Sequence, residues 1–571
     1  MDPSVIARLR SRWAELYADR AEECLAKLLQ RVDRDAPAVG AGTPAGWDER
    51  DVVLITYADQ VTTAGEAPLA TLGEFLTAHG LDRLINTLHI LPFFPYSSDD
   101  GFSVIDFRAV DPAVGTWEDV RRLGESFRLM FDLVLNHVSR RSRWLEKYLT
   151  GRQPQSRFFL EVSPGTDLSQ VTRPRSTPLV TPQETAAGRR QLWTTFGPDQ
   201  FDLNYGEPEV LLAMIDILLL YVRQGGRIIR LDAVAYLWKQ LGTSCIHLPQ
   251  THTVVKLLRD LLGAVAPGVW LLTETNVPHA ENVSYFGDGD EAHMVYQFSL
   301  PPLLLDALVS GDARSLSRWL ADLGETPPGT TYFNFTASHD GIGLRPLEGL
   351  VSAEHIARLS EVVAARGGLV STRCQPDGND SPYELNITYV DALGGPDGAL
   401  HARRFLASQA VMLALQGIPG IYFHSLVGTP NDADAARRTG QARKINRRKY
   451  DLDELTRAVS SPDSVQKEIF GGYCRLLWVR RRQPAFHPDA AQQVRRSDSP
   501  ALVMFLRTSV DGRQRILVVA NLSDRQWPVD LAAEDAGPFS RDLVTDRPLP
   551  RGESFQLEPY QVAWLEATVS G

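Results

Sequence analysis

The chain has 571 residues, 43% of them hydrophobic and 23% charged, with a formal net charge of −11. These figures describe a globular protein long enough for several folding units, or for one large barrel with additions. The acidic balance disfavours a nucleic-acid partner, and the longest apolar run, near Ile217 and Val222, is too short to span a bilayer.

Met1 to Arg12 is polar and has no apolar segment of the kind a secretory signal needs. The four cysteines (Cys24, Cys245, Cys374 and Cys474) are scattered and form no CxxC, so reduced thiols in a cytoplasmic protein are expected. The first 35 or so residues read as helix: Ile6, Leu9, Trp13 and Leu16, then Leu25, Leu28, Leu29 and Val32, recur at helical spacing. This extension, residues 1–47, is expected to dock on the main body, with the Pro/Gly/Ala-rich stretch from Asp35 to Gly46 as a linker.

From Asp51 onward, short β-rich runs alternate with amphipathic helices. Strands are predicted at 52–56, 89–93, 129–136, 227–232, 269–274, 293–298, 332–338 and 420–424. Helix-like segments lie between them, among them 117–127, 211–223, 253–265 and 402–415. Eight strands in βα alternation predict an α/β fold, a parallel (β/α)₈ barrel. An open doubly wound sheet is the competing topology, and no GxGxxG follows the first strand to support it.

The barrel divides into 48–138, 200–340 and 400–489, with insertions at 139–199 and 341–399. Insertions this long are usually functional, and both follow C-terminal strand ends, the face where barrel active sites are built. Residues 490–571 read as a small antiparallel β domain, with strands at 501–507, 515–521 and 561–566 and a hairpin signal at Asp511-Gly512.

Polar residues collect at the same end of several strands. The third ends in Asp132, Asn136 and His137, the fourth in Arg230 and Asp232, the fifth in Glu274, the seventh in His339 and Asp340. One aspartate after a strand is ordinarily a helix cap or turn residue. Three carboxylates at one end of parallel strands instead converge on one pocket. Paired carboxyls are what retaining glycoside chemistry requires, one as nucleophile and one as proton donor. Arg230, two residues before Asp232, projects to the same side and is placed to keep it anionic.

These segments resemble the signature regions of the α-amylase superfamily, glycoside hydrolase family 13: DLVLNH (132–137), FDLN (201–204), RLD (230–232), Glu274 and HD (339–340). The resemblance implies Asp232 as nucleophile, Glu274 as general acid/base and Asp340 as the third acid, gripping glucose hydroxyls. It also implies that His137 and His339 bind glucose and that Asp132 orients Arg230, which is counted with the substrate-binding residues.

ITYAD (55–59), HILPFF (89–94), DDGF (99–102), RLDAVAY (230–236), GTSC (242–245), FSLPPLLL (298–305) and HDGIG (339–343) resemble the sucrose phosphorylase branch more than the amylases. That implies Asp99 on the outer glucose hydroxyls, Phe102 and Phe196 flanking the sugar, and Arg443 closing the glucose site. No metal and no cofactor are implied; inorganic phosphate is the co-substrate. Arg175, in RPR (173–175), resembles the phosphate-contacting position, and Tyr236, Asn276 and Tyr383 are further acceptor-wall candidates.

The stretches 373–386 and 343–349, with the helical extension, resemble the glucosylglycerate phosphorylase subgroup. An anionic glycerate would recruit another arginine, Arg345 or Arg373. The expected activity is phosphorolysis of an α-glucoside through a glucosyl-Asp232 intermediate to α-glucose 1-phosphate, with glucosylglycerate as substrate. Sucrose, sucrose 6′-phosphate or glucosylglycerol phosphorylase, and hydrolase or transglucosylase action, are the alternatives. A different class, an inactive amylase-like transport partner or sugar sensor, would lack a triad carboxylate or carry a membrane span. The expected partners are small molecules, with a homodimer as candidate assembly.

Overall fold

Eight short strands, buried at nearly every position, form the centre of the molecule in a computed structural model that describes residues 1–35, 46–374, 380–395, 398–531, 538–549 and 554–567. They are β1 (Val53–Thr56), β2 (Thr87–Ile90), β3 (Arg128–Val134), β4 (Gly226–Asp232), β5 (Trp270–Thr273), β6 (Met294–Tyr296), β7 (Thr331–Phe335) and β8 (Ile418–Tyr422). All neighbours are parallel, and β8 returns to pair with β1, Val53 opposite Gly420. The closed barrel excludes the doubly wound alternative. β2 ends before its predicted limit because the chain turns out of the sheet at Leu91-Pro92, and proline has no N–H for the ladder.

The N-terminal extension is two helices rather than one: α1 (Pro3–Tyr17) and α2 (Ala21–Asp35). Asp2 caps α1 through Ser4 N at 2.7 Å, and the break falls at Ala18, whose φ of 44° cannot continue a helix. α1 packs on α4 (Pro249–Val265) and α2 on α3 (Pro208–Arg223). Ion pairs line the seam, among them Arg8–Asp260 at 2.8 Å, Lys27–Glu209 at 2.6 Å and Arg31–Asp216 at 3.3 Å. Exposed pairs contribute about 0–1 kcal/mol each. Burying Leu9, Trp13, Leu16, Leu25 and Leu28 at about 1.5–3 kcal/mol each is the larger effect. Trp13→Ala is therefore expected to lower the local opening free energy of this pair by about 3 kcal/mol, read as faster amide exchange confined to α1 and α2. Unchanged exchange there would show that the ion pairs hold the extension instead.

The predicted linker, apart from its two ends, lies outside the described residues. The first insertion is pinned at its base by His137–Ser139 pairing antiparallel with Gln200–Asp202. The second carries a three-stranded sheet with Asp380–Asn386 at its centre, between Ile342–Gly343 and Leu369–Cys374. Residues 375–379 of that insertion are outside the described residues. Both insertions rise beside the C-terminal ends of the barrel strands.

At the chain end, a six-stranded antiparallel sheet contains the three strands predicted there, now Leu502–Thr508, Arg515–Asn521 and Val562–Ala567. One buried arginine of this sheet fastens it to the barrel, and a second, at the end of the helix Val465–Arg480, reaches the same helix end from the barrel side. Arg507 donates to Ala414 O at 2.7 Å and Arg480 to Leu413 O at 2.8 Å, which are last-turn carbonyls of α5 (His401–Ala414). Those carbonyls have no partner within their helix, so each guanidinium completes the backbone hydrogen bonding and offsets the helix dipole.

Candidate active site

Strand register sets the first contacts. A bulge at Arg227 brings Asp132 of β3 opposite Arg230 of β4, and Val134 opposite Asp232. Thr273 of β5 lies opposite Leu231, so Glu274, the next residue, comes level with Asp232. Arg230 Nη1 donates to Asp232 Oδ1 at 2.7 Å and also to Asp132, while Nη2 is 4.0 Å from Glu274. His89 Nε2 donates to the other Asp132 oxygen at 2.6 Å. A single buried guanidinium thus stands among three carboxyls. Directly after Asp232, Ala233 takes a left-handed backbone, φ 50° and ψ 32°, which costs about 1–2 kcal/mol in a non-glycine residue. That turn aims the Ala233 N–H at Glu274 Oε2, 3.0 Å away.

Burial pushes the Asp232 carboxyl well above the usual carboxylate range, opposed by Arg230 and reinforced by repulsion from Glu274. Burial raises Glu274 too, again opposed by Arg230, with Asp340 adding repulsion. Two adjacent buried carboxyls beside one cation compete for it, and each makes the other harder to ionise. Arg230 touches Asp232 and stands off from Glu274, so the negative charge belongs on Asp232 and the proton on Glu274.

Asp340 has the opposite environment. Burial alone would raise it, but Arg443 and Arg447 together hold it far below the carboxylate range. Arg443 reaches Asp340 Oδ1 at 2.5 Å and Glu384 at 2.7 Å, and Arg447 Nη1 reaches Asp99 at 3.3 Å and Asp100 at 2.8 Å. Burial pushes the His339 imidazole down to about 3, so it is neutral, and it stacks on Phe102 with centroids 4.6 Å apart. His137, also lowered by burial, bonds to Phe102 O at 3.0 Å. An apolar ring face, two neutral imidazoles and a fixed anion form a surface suited to a hydroxylated ring.

These groups line one pocket, open to solvent. Asp232, Glu274, Asp340, His137 and His339 all reach it, as do Asp99, Phe102, Phe196 and Arg443. On the far wall stand Arg175, Tyr236, Asn276 and Tyr383, and among the described residues no carboxylate forms a salt bridge with Arg175.

Three expected residues are elsewhere. Arg230 lies beneath the floor, its charge committed to Asp132 and Asp232, and does not line the pocket. Arg373 is outside the wall, tied to Glu348 at 2.7 Å. Arg345 sits behind the wall, 3.5 Å from Glu281.

The sequence alone does not mark Glu384, Arg447, His89 or Asp100 as functional. His89, Asp100 and Glu384 lie within the matched segments, but no spacing rule separates them from their neighbours, and Arg447 lies in none of those segments. Among the described residues, no three His, Cys, Asp or Glu side chains come together as a metal site requires.

Gly343 carries a testable constraint. A Cβ there would come within 2.6 Å of the Asn276 amide, whose side chain it must displace. Gly343→Ala is expected to raise acceptor KM by about tenfold to hundredfold, in the range a misplaced contact costs, while the KM for the glucosyl donor moves far less. Equal effects on donor and acceptor would place Asn276 outside the acceptor wall.

A family model described as "Alpha amylase, catalytic domain" matches residues 82–321, and one described as "D-apionate lactonase, C-terminal immunoglobulin-like domain" matches residues 500–565. The chain is 50% identical over 531 residues to a glucosylglycerate phosphorylase of Spirochaeta thermophila, covering 91% of this chain and 90% of that one. It is 45% identical to a glucosylglycerate phosphorylase of Allomeiothermus silvanus, covering 96% of each. Among solved structures, the sucrose 6F-phosphate phosphorylase from Thermoanaerobacter thermosaccharolyticum superposes with a TM-score of 0.72 at 26% identity, covering 83% of this chain and 94% of that one.

Proposed function

The chain belongs to the α-amylase superfamily, in the branch of the glucosylglycerate and sucrose phosphorylases, and we propose that it cleaves glucosylglycerate with inorganic phosphate. Glu274 gives its proton to the glycosidic oxygen as Asp232 attacks the anomeric carbon, and glycerate leaves. Asp340 and Arg443 hold the sugar hydroxyls while positive charge develops on the ring. Phosphate then attacks the glucosyl-Asp232 ester from the face glycerate vacated, giving α-glucose 1-phosphate with retained configuration. The same covalent ester would serve a hydrolase, so the fate of the intermediate is decided at the acceptor wall.

The observation that carries this reading is Arg175, a guanidinium on the pocket wall to which no carboxylate among the described residues is salt-bridged. Its planar fork suits a phosphate or a carboxylate equally. No cofactor or metal enters the scheme; phosphate is the co-substrate. The proposed setting is the cytoplasm, supported by the free thiols of Cys24, Cys245 and Cys474. A homodimer is the proposed assembly, read by light scattering. No helix among the described residues is long and apolar enough to cross a membrane.

The test offers α-glucose 1-phosphate with glycerate, glycerol, fructose or fructose 6-phosphate, and measures phosphate release. Glycerate is expected to give the highest kcat/KM. In the cleavage direction Arg175→Ala is expected to raise the phosphate KM by about tenfold to hundredfold, the value of one charged hydrogen bond. Equal glucose release with and without phosphate would make the enzyme a hydrolase.

A further inference from the structure

Behind the acceptor wall, three loops from three different barrel strands bring their charged residues together. His247 follows β4, Glu281 follows β5 and Arg345 follows β7. Glu281 Oε2 is 3.1 Å from His247 Nε2 and 3.5 Å from Arg345. Both the Glu281 oxygen and the His247 nitrogen are buried, and neither forms a well-aligned hydrogen bond. Within the cluster, only Glu281 and Arg345 are paired by charge.

It is fastened to the wall at two points. His247 N donates to Ala235 O at 3.0 Å, and Leu344 N, beside Arg345, donates to Tyr383 O at 3.0 Å. Ala235 and Tyr383 both line the pocket. His247 is kept in place by a left-handed backbone, φ 53°, and by the Tyr285 hydroxyl, 2.9 Å from Nδ1.

The charges do not cancel evenly. Burial, with Arg345 and His252 nearby, pushes the His247 imidazole down to about 4, so it is neutral in the working range. That leaves Arg345 as the cation balancing Glu281 in the cluster. Arg345 also acts on the pocket itself, opposing the burial that raises the Tyr236 phenol. Arg373 is tied instead to Glu348, in the second insertion.

We propose that Glu281 is a specificity-determining residue that restrains the charge of Arg345, so that the acceptor site discriminates among anions mainly through Arg175. The inference rests on the phosphorolytic reading, in which one wall must accept phosphate and glycerate in turn. A wall with two unrestrained guanidinium groups would favour dianionic phosphate and hold either anion too long. Glu281 lowers the site's positive potential without occupying it.

Glu281→Gln keeps shape and removes the charge. Inhibition constants of phosphate and glycerate against cleavage of 4-nitrophenyl α-glucoside are expected to fall about threefold to tenfold, the range for one charge acting across a partly screened gap. Phosphate should gain more than glycerate, while the constants for glycerol and fructose move less than twofold. Arg345→Ala should weaken both anions, and the double variant should match Arg345→Ala alone. Arg373→Ala serves as a control and should leave the ratio of anionic to uncharged ligands as it was.

Unchanged anion constants in Glu281→Gln would overturn the proposal, as would an equal shift for glycerol or a shift that persists in the double variant. The constants can be read whichever acceptor is turned over. Loss of phosphate dependence in the unaltered enzyme would therefore count against the phosphorylase reading and leave this measurement interpretable.

Discussion

Asp232→Ala is expected to lower kcat/KM for any α-glucoside by about 10⁴–10⁶, the range seen when a nucleophile is removed from an assembled site. The structure makes this a test of chemistry rather than of folding. Arg230 keeps its bond to Asp132, which is itself held by His89, so the strand-end framework survives loss of the Asp232 carboxylate. The melting temperature is expected to change little. Azide, entering the space left by the side chain, should attack the anomeric carbon from the Asp232 side and give the β-glucosyl azide. Activity within a hundredfold of the unaltered enzyme would remove Asp232 from the nucleophile's role.

Glu274→Gln should discriminate between substrates by their leaving groups. Glycerate is a poor leaving group without a proton, so phosphorolysis of glucosylglycerate is expected to fall by about 10³–10⁴. An α-glucosyl fluoride needs little protonation to depart, and phosphate arrives as an anion that needs no base. Transfer from the fluoride to phosphate should therefore persist at near-normal rates. The pH profile follows from the raised carboxyls. Activity falls on the acid side as Asp232 takes up a proton and on the alkaline side as Glu274 loses its own. Burial lifts both groups, so both limbs lie above the ordinary carboxyl range. Glu274→Gln should erase the alkaline limb when the fluoride is the donor. Persistence of that limb would assign it to another group.

The polar residues at strand ends were legible because a parallel barrel gathers them by topology alone. Asp232, Glu274 and Asp340 needed only the order of strands and the side on which a residue two positions away projects. The walls contributed by the insertions were less legible, and Tyr383 and Glu384 show the reason. Neighbours in a strand normally face opposite ways. The pairing of Ser371 with Glu384 and of Thr372 with Pro382 skips Tyr383, and this bulge turns both residues toward the site. No periodicity in the sequence announces such a skip. Arg345 and Arg373 were likewise indistinguishable as loop arginines. What separates them is which acid each meets, Glu281 behind the pocket wall or Glu348 in the second insertion. The single helix expected at the N-terminus divides at Ala18, where hydrophobic spacing continues and only the backbone angle reveals the break.

Closing β1 against β8 has a consequence for how the protein is made. Val53 emerges early from the ribosome, yet its partner Gly420 is synthesised only near the end of the chain. At usual elongation rates the first strand waits roughly 20–70 s with one edge uncovered. During that interval its unpaired backbone is a template for any other extended segment. Arg480, which donates to the carbonyls of Glu49 and Asp51 just before β1, arrives later still. A nascent chain stalled before residue 418 should therefore depend on chaperones for solubility, whereas one stalled after the C-terminal sheet should not.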